Sequence, residues 1–160
     1  MRYALTMSEP APVLRLAVHG DADAVRSVVK AAYEPWIPVI GMRPLPLEAD
    51  YEQLIAAGSV TVLVPPGGAE VAGLIVLVPE PGALLIENVA VDPRAQGRGL
   101  GRTLLAHAEA VARDAGLASL RLYTHRLMAT NVALYEHLGY TVTDRDPDEA
   151  RPVVHMSKTL

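Results

Sequence analysis

Gly97, Gly99 and Gly101 stand at alternate positions directly ahead of a run in which Leu100, Leu104, Leu105, Ala108, Val111 and Ala112 recur at helical spacing. Residues 84–91 before them are an apolar run closed by Asp92-Pro93. A glycine-rich turn between a strand and a helix leaves backbone N–H groups unpaired, and the helix dipole adds partial positive charge there. Such a turn seats a phosphate or pyrophosphate. The residues placed to do so are Gln96, Gly97, Arg98, Gly99, Leu100, Gly101 and Arg102. Spacing excludes two common phosphate motifs. A P-loop needs a lysine after its second glycine, and Gly101 is followed by Arg102 and Thr103, with Gln96 where the first glycine belongs. A dinucleotide fingerprint fits Gly97 and Gly99 but needs a third glycine where Arg102 stands.

The chain has 160 residues, 51% hydrophobic and 20% charged, which fits one globular domain with a substantial core. Its net charge of -4 argues against nucleic acid as a partner. With no cysteine, disulfides, thiolate zinc sites and cysteine nucleophiles are excluded, and a reducing, cytoplasmic setting is the expectation. Residues 1–12 lack the sustained apolar core of a secretory signal and read as a flexible tail, with Met7 a second candidate start. The longest apolar stretch, 71–78, is too short to span a bilayer, so no membrane role is expected. His107 and His137 fall on helices without ligand-like spacing, and no metal site is expected.

The elements that must position the glycine turn follow from periodicity. Residues 13–18 read as a strand, with Arg15 marking it as an edge. A helix capped by Asp21 or Asp23 runs to about Tyr33. Pro35, Pro38, Pro44 and Pro46 forbid a regular helix over 34–47, a stretch that holds the only tryptophan, Trp36. A second helix is expected from about Leu47 to Ala57, ended by Gly58. Strands at 59–64 and 71–78 form a hairpin around the turn at 65–69, and Pro79 to Gly82 turn the chain again. Residues 84–91 are apolar on both parities apart from Glu87 and Asn88, so both faces of this central strand should be covered. After the glycine helix come a strand at 119–124, a short helix at 131–138 stopped by Gly139, and strands at 140–144 and 153–157 joined by the polar stretch 146–152. The order gives an α/β fold: a mixed, mostly antiparallel sheet with a central parallel strand-helix-strand crossover and helices on both faces.

Two motifs on those elements resemble the GCN5-related N-acetyltransferase (GNAT) superfamily. One is Gln96-Gly97-Arg98-Gly99-Leu100-Gly101, a Q-x-x-G-x-G pattern after the strand that ends Val89-Ala90-Val91-Asp92-Pro93. The other is the run from Asn131 to Tyr140, which is similar to the end of the family's later motif, Y/F-x-x-x-G-F/Y, with its tyrosine at Tyr135 and its glycine at Gly139. The resemblance implies a single acetyltransferase domain over 13–160 and transfer of an acetyl group from acetyl-CoA, without a metal, to an amine in a direct ternary complex. It implies that the amides of Gly97 to Arg102 hold the pyrophosphate, that the strand Val89, Ala90, Val91 pairs with the pantetheine arm, and that the Val89 N–H faces the thioester oxygen.

By the same resemblance Tyr135 is the acid for the departing thiolate. Asn131, four residues earlier on the same helical face, either binds the pantetheine or caps its own helix. Glu87 is the preferred base, where burial would raise its pKa, and His125 is the rival. The acceptor wall would carry Tyr33, Trp36, Ile37, Ile40 and Met42, with Glu87 and His125 at its inner end. Such a wall suits a small amine with an apolar body or a peptide N-terminus. A non-catalytic acyl-CoA-binding module on the same fold and an interaction domain without a nucleotide site are the competing classes. Edge strands leave a homodimer open.

Overall fold

The computed structural model describes residues 10–68, 70–145 and 152–160. Seven strands form one sheet in the order β1-β2-β3-β4-β5-β7-β6: β1 Val13–Leu16, β2 Val60–Val64, β3 Gly73–Glu80, β4 Ala83–Val91, β5 Ser119–His125, β6 Thr141–Arg145 and β7 Val153–Thr159. The pairs are antiparallel except β4 with β5, whose parallel pairing needs the crossover through helix α4, Leu100–Asp114.

Two helical layers cover the sheet. Helix α1, Ala22–Tyr33, and helix α3, Tyr51–Ala56, bury Val25, Val28, Val29, Tyr51 and Ile55 against Val60, Val62, Leu74, Val76 and Ala90. On the other face α4 buries Leu100, Leu104, Leu105, Ala108 and Ala112 against Leu63, Ile75, Leu77, Leu84 and Ile86. Helix α5, Ala129–His137, adds Val132 and Tyr135 to this second layer. Close packing of α4 on the sheet has one tight point: a Cβ at Gly73 would stand 3.2 Å from the Ala90 carbonyl oxygen and 3.2 Å from Leu104 Cδ1.

The central strand changes faces part-way along. Val76 pairs with Asn88 while its neighbour Leu77 pairs with Ile86, so Glu87 is an extra residue, a β-bulge. Before the bulge Leu84 and Ile86 point to the α4 layer. After it Val89 and Val91 do, while Ala90 joins the α1 layer. One residue out of register therefore inverts every later side chain.

Several expected boundaries move. The second helix begins at Tyr51, because Asp50 caps it by accepting from Gln53 N at 3.1 Å and the residues before it form a 3-10 turn, Leu45–Glu48. The second hairpin strand starts at Gly73 and runs through Pro79, which stands opposite Leu84 with the turn confined to residues 81–82. In the proline-rich stretch a single α-helical turn, α2, Ile37–Ile40, follows a 3-10 turn at Glu34–Trp36. Residues 1–9 of the expected tail, Ala69 of the hairpin turn and most of the polar stretch 146–152 lie outside the described residues.

Asp21 does not cap α1 with its side chain. It accepts instead from Val18 N at 2.7 Å and from both terminal nitrogens of Arg15, at 2.7 and 3.0 Å, tying edge strand β1 to the helix start. The Arg15 guanidinium, helped by the Val18 amide, holds the Asp21 carboxyl below the usual carboxylate range despite its burial. A depressed carboxylate pKa contributes stability above the unfolded value near 3.9, and that stability is lost as pH falls through the folded value. We expect Asp21→Asn to cost about 1 kcal/mol at pH 7, modest because the ion pair is partly solvated. Urea unfolding at pH 7 and near pH 3 checks this: the difference between the two proteins should shrink in acid.

Candidate active site

The glycine turn folds as its composition requires. Gly97 and Gly99 have φ of 83° and 75°, in the left-handed region, and Gly99 stands at the N-cap of α4 without any side-chain cap. The first bond returned by the helix is from Thr103 N to Gly99 O, at 3.1 Å. Among the described residues none accepts from the N–H groups of Gly97 to Arg102. Six free donors at the start of a 15-residue helix fit a pyrophosphate. Arg102 lines the cleft above them. Arg98 lines a separate surface depression with Pro65, Pro66 and Thr103.

The wall of the cleft is a gap in the sheet. β4 and β5 pair only from Ala83 with Ser119 to Ile86 with Leu122. From the bulge at Glu87 onward β4 keeps β3 as its neighbour, β5 keeps β7, and the two strands part. Asp92 N donates to Ala72 O across β3, which by alternation puts Ala90 and Asn88 in bonded positions and turns the N–H and C=O of Val89 and Val91 away from β3, into the gap. The Tyr33 hydroxyl reaches Val89 O there, at 3.2 Å.

Two cavities meet in this gap. The larger, of 410 Å³, runs from Gln96, Gly97, Gly99, Gly101 and Arg102 past Val89, Ala90 and Val91. The inner one, of 100 Å³, holds Glu87, Tyr123 and His125. Tyr33, Val89, Asn131 and Tyr135 line both. Asn131 lies inside α5 rather than at its start, with its N–H bonded to Met128 O, so it is not the cap of that helix; it shares a face with Tyr135 and looks into the junction. Trp36, at the end of the 3-10 turn after α1, lines the larger cleft and not the inner cavity.

The titratable groups differ in what they can do. Burial pushes the Tyr135 hydroxyl up to about 12, so it stays protonated. Its ring packs edge-on to Tyr140 at 5.8 Å. His125 accepts from Leu127 N at its Nδ1, at 3.1 Å, so its neutral ring carries the proton on Nε2 and presents a donor. Burial, with Arg126 nearby, lowers its pKa. Glu87, half-buried on the bulge, is the only carboxylate among the described residues lining the inner cavity. No group of three metal-ligating side chains occurs among the described residues.

Sequence reasoning missed a buried hydrogen-bond chain beneath this junction. Tyr33 Oη donates to Asn88 Oδ1 at 2.5 Å, Asn88 Nδ2 donates to Tyr51 Oη at 3.1 Å, and Tyr51 Oη donates to Pro46 O at 2.6 Å. It links the loop before α3 to the strand that lines the cleft. Burial raises the Tyr33 and Tyr51 pKa values, and the Glu87 charge adds to the effect at Tyr51. The available signal was Asn88 itself, a second polar residue beside Glu87 in an apolar strand.

Residues 25–140 match the profile of the Acetyltransferase (GNAT) family. The chain belongs to that family. This GNAT chain is 43% identical over 74 residues to a mycothiol acetyltransferase from Beutenbergia cavernae, a match covering 46% of this chain and 25% of that one. It is 45% identical over 53 residues to the [ribosomal protein bS18]-alanine N-acetyltransferase of Escherichia coli K12, covering 33% of this chain and 36% of that one. The matches thus span a quarter to about a third of these two relatives. The PaiA N-acetyltransferase of Thermoplasma acidophilum, solved with coenzyme A, superposes with a TM-score of 0.80 at 17% identity, over 94% of this chain and all of that one, a likeness of fold.

The hydrogen-bond chain gives a test of the GNAT site's foundations. Tyr33→Phe and Tyr51→Phe should each destabilise the protein by about 1–2 kcal/mol. Because Asn88 partners both, the double variant should lose less than the sum, by about 0.5 kcal/mol or more. Equilibrium urea unfolding of the four proteins measures the coupling, and strict additivity would separate the two bonds.

Proposed function

We propose that this chain transfers the acetyl group of acetyl-CoA to a primary amine of a small molecule or peptide, in a direct ternary complex, with residues 13–160 as one acetyltransferase domain. The observation that carries this reading is the meeting of the two cavities at Tyr33, Val89, Asn131 and Tyr135, with the amide cradle at one end and Glu87 at the other. The lack of cysteine suits a reducing, cytoplasmic setting.

Bound acetyl-CoA supplies the acetyl thioester and its sulfur leaving group. The amides of Gly97 to Arg102, with the Arg102 guanidinium, hold the pyrophosphate. The N–H and C=O groups of Val91, turned into the gap, offer strand-like bonds to the pantetheine amides. Glu87 removes the proton that an amine carries at neutral pH. Val89 N–H donates to the thioester oxygen as negative charge gathers on it. Tyr135 faces the departing sulfur. A phenol near pKa 12 is a weaker acid than a thiol near 8.5, so its main contribution is to donate a hydrogen bond that holds the sulfur's charge. Asn131, one turn away, steadies the same junction.

Acetyl-CoA at about 100 times its dissociation constant should add roughly 2.7 kcal/mol of stability, a rise of roughly 5–10 °C in Tm. Tyr135→Phe should lower kcat roughly 100-fold while keeping that rise. Because Tyr135 loses its proton only near pH 12, kcat should show no decline from its ionisation up to about pH 10. Glu87→Gln should lower kcat/KM roughly 100-fold or more, again with the thermal shift intact. A protein that binds acetyl-CoA but turns over no amine would be the non-catalytic module instead.

A further inference from the structure

We infer that the acceptor of this enzyme is a singly charged primary amine with an apolar aryl or alkyl body, and that polycationic amines are selected against. The inference rests on the transferase reading above and concerns the same site.

The inner cavity, at 100 Å³, admits little more than the amine and its first carbons. Outside it lies a groove of 510 Å³ that continues past Tyr123, His125, Leu45 and Val153, which line both spaces. The groove floor and lip are Ile40, Met42, Pro44, Leu45 and Val153, and the Tyr123 and His155 rings, 6.1 Å apart and tilted by 53°, make an aromatic corner. This is surface for an apolar body.

Charge separates the two ends. Glu87 at the inner end is the only carboxylate lining either space among the described residues. The cation at the mouth, Arg43, is satisfied by Glu48, with Nε 2.5 Å from Oε1. One ammonium therefore finds a counter-charge beside the thioester. A second, carried into the groove, would leave water for a wall that among the described residues is apolar and aromatic but for Arg43, whose charge Glu48 already neutralises. Glu87 accepts the proton from the ammonium, the amine nitrogen bonds to the acetyl carbon, and the carbon–sulfur bond breaks to give the thiol. The products are a neutral amide, coenzyme A and one released proton.

A matched pair tests the claim. Hexylamine and 1,6-diaminohexane have the same reach and differ by one ammonium. The full chain should show kcat/KM at least tenfold higher for hexylamine at pH 7.5 and low salt. Leu45 and Met42 are 65% and 47% exposed, so a carboxylate there leaves the core intact. Leu45→Glu or Met42→Glu should narrow the preference at least fivefold, chiefly by lowering KM for the diamine. Phenethylamine and a short peptide with an N-terminal leucine separate the two sources of such an acceptor, a free arylalkylamine or a chain end; turnover of either over spermidine supports the inference. Equal or better use of the diamine or spermidine by the wild type overturns it and leaves the transferase reading standing. Acetyl-CoA binding without transfer to any of these amines overturns both.

Discussion

The site depends on a break in backbone pairing. β4 and β5 begin as a regular parallel pair, and the bulge at Glu87 ends it. Ordinarily a sheet interior satisfies every N–H and C=O with a neighbouring strand, and leaving such groups buried and unpaired is costly. Here the unpaired edge of β4 is left open to a cleft, where its polar groups stay accessible. The same bulge turns Glu87 out of the ladder and swaps the faces of the strand beyond it. One inserted residue thus opens the gap, exposes Val89 and places a carboxylate at its inner end.

The layers on either side divide the labour. The α4 layer supplies the amide cradle and, through α5, Asn131 and Tyr135. The α1 layer supplies Tyr33 and the irregular stretch at the mouth of the inner cavity. What joins them beneath the junction is the chain from Pro46 through Tyr51 and Asn88 to Tyr33 and Val89. Its Tyr51 and Asn88 links are buried, so it fixes geometry rather than merely adding energy.

Most of this fold was legible in the residues. The glycine turn announced itself because left-handed backbone and unpaired amides demand glycine at set positions, and Gly97 and Gly99 adopt that conformation. The crossover, the edge character of the first strand and both helical layers followed from apolar spacing. The bulge did not, because a strand covered on both faces has no alternation for an inserted residue to interrupt. Trp36 and Arg98 sit on a 3-10 turn and in the glycine turn, where apolar spacing does not set which cavity a residue lines. The start of α3 was missed because Asp50, not the apolar period, sets it. The polar chain under the site was illegible for a similar reason: its members are 55 and 37 residues apart in sequence and meet only when the layers close.

The stretch between Trp36 and Pro44 touches the rest of the molecule differently from the glycine turn. Just beyond its far end Pro46 O accepts from the Tyr51 hydroxyl, and its own residues include the exposed Val39 and Met42. The cradle, by contrast, is continuous with a helix whose apolar face lies in the core. A substitution in this stretch is therefore expected to leave the glycine turn undisturbed. In the laboratory the same asymmetry makes this segment the natural unit for loop exchange between related chains.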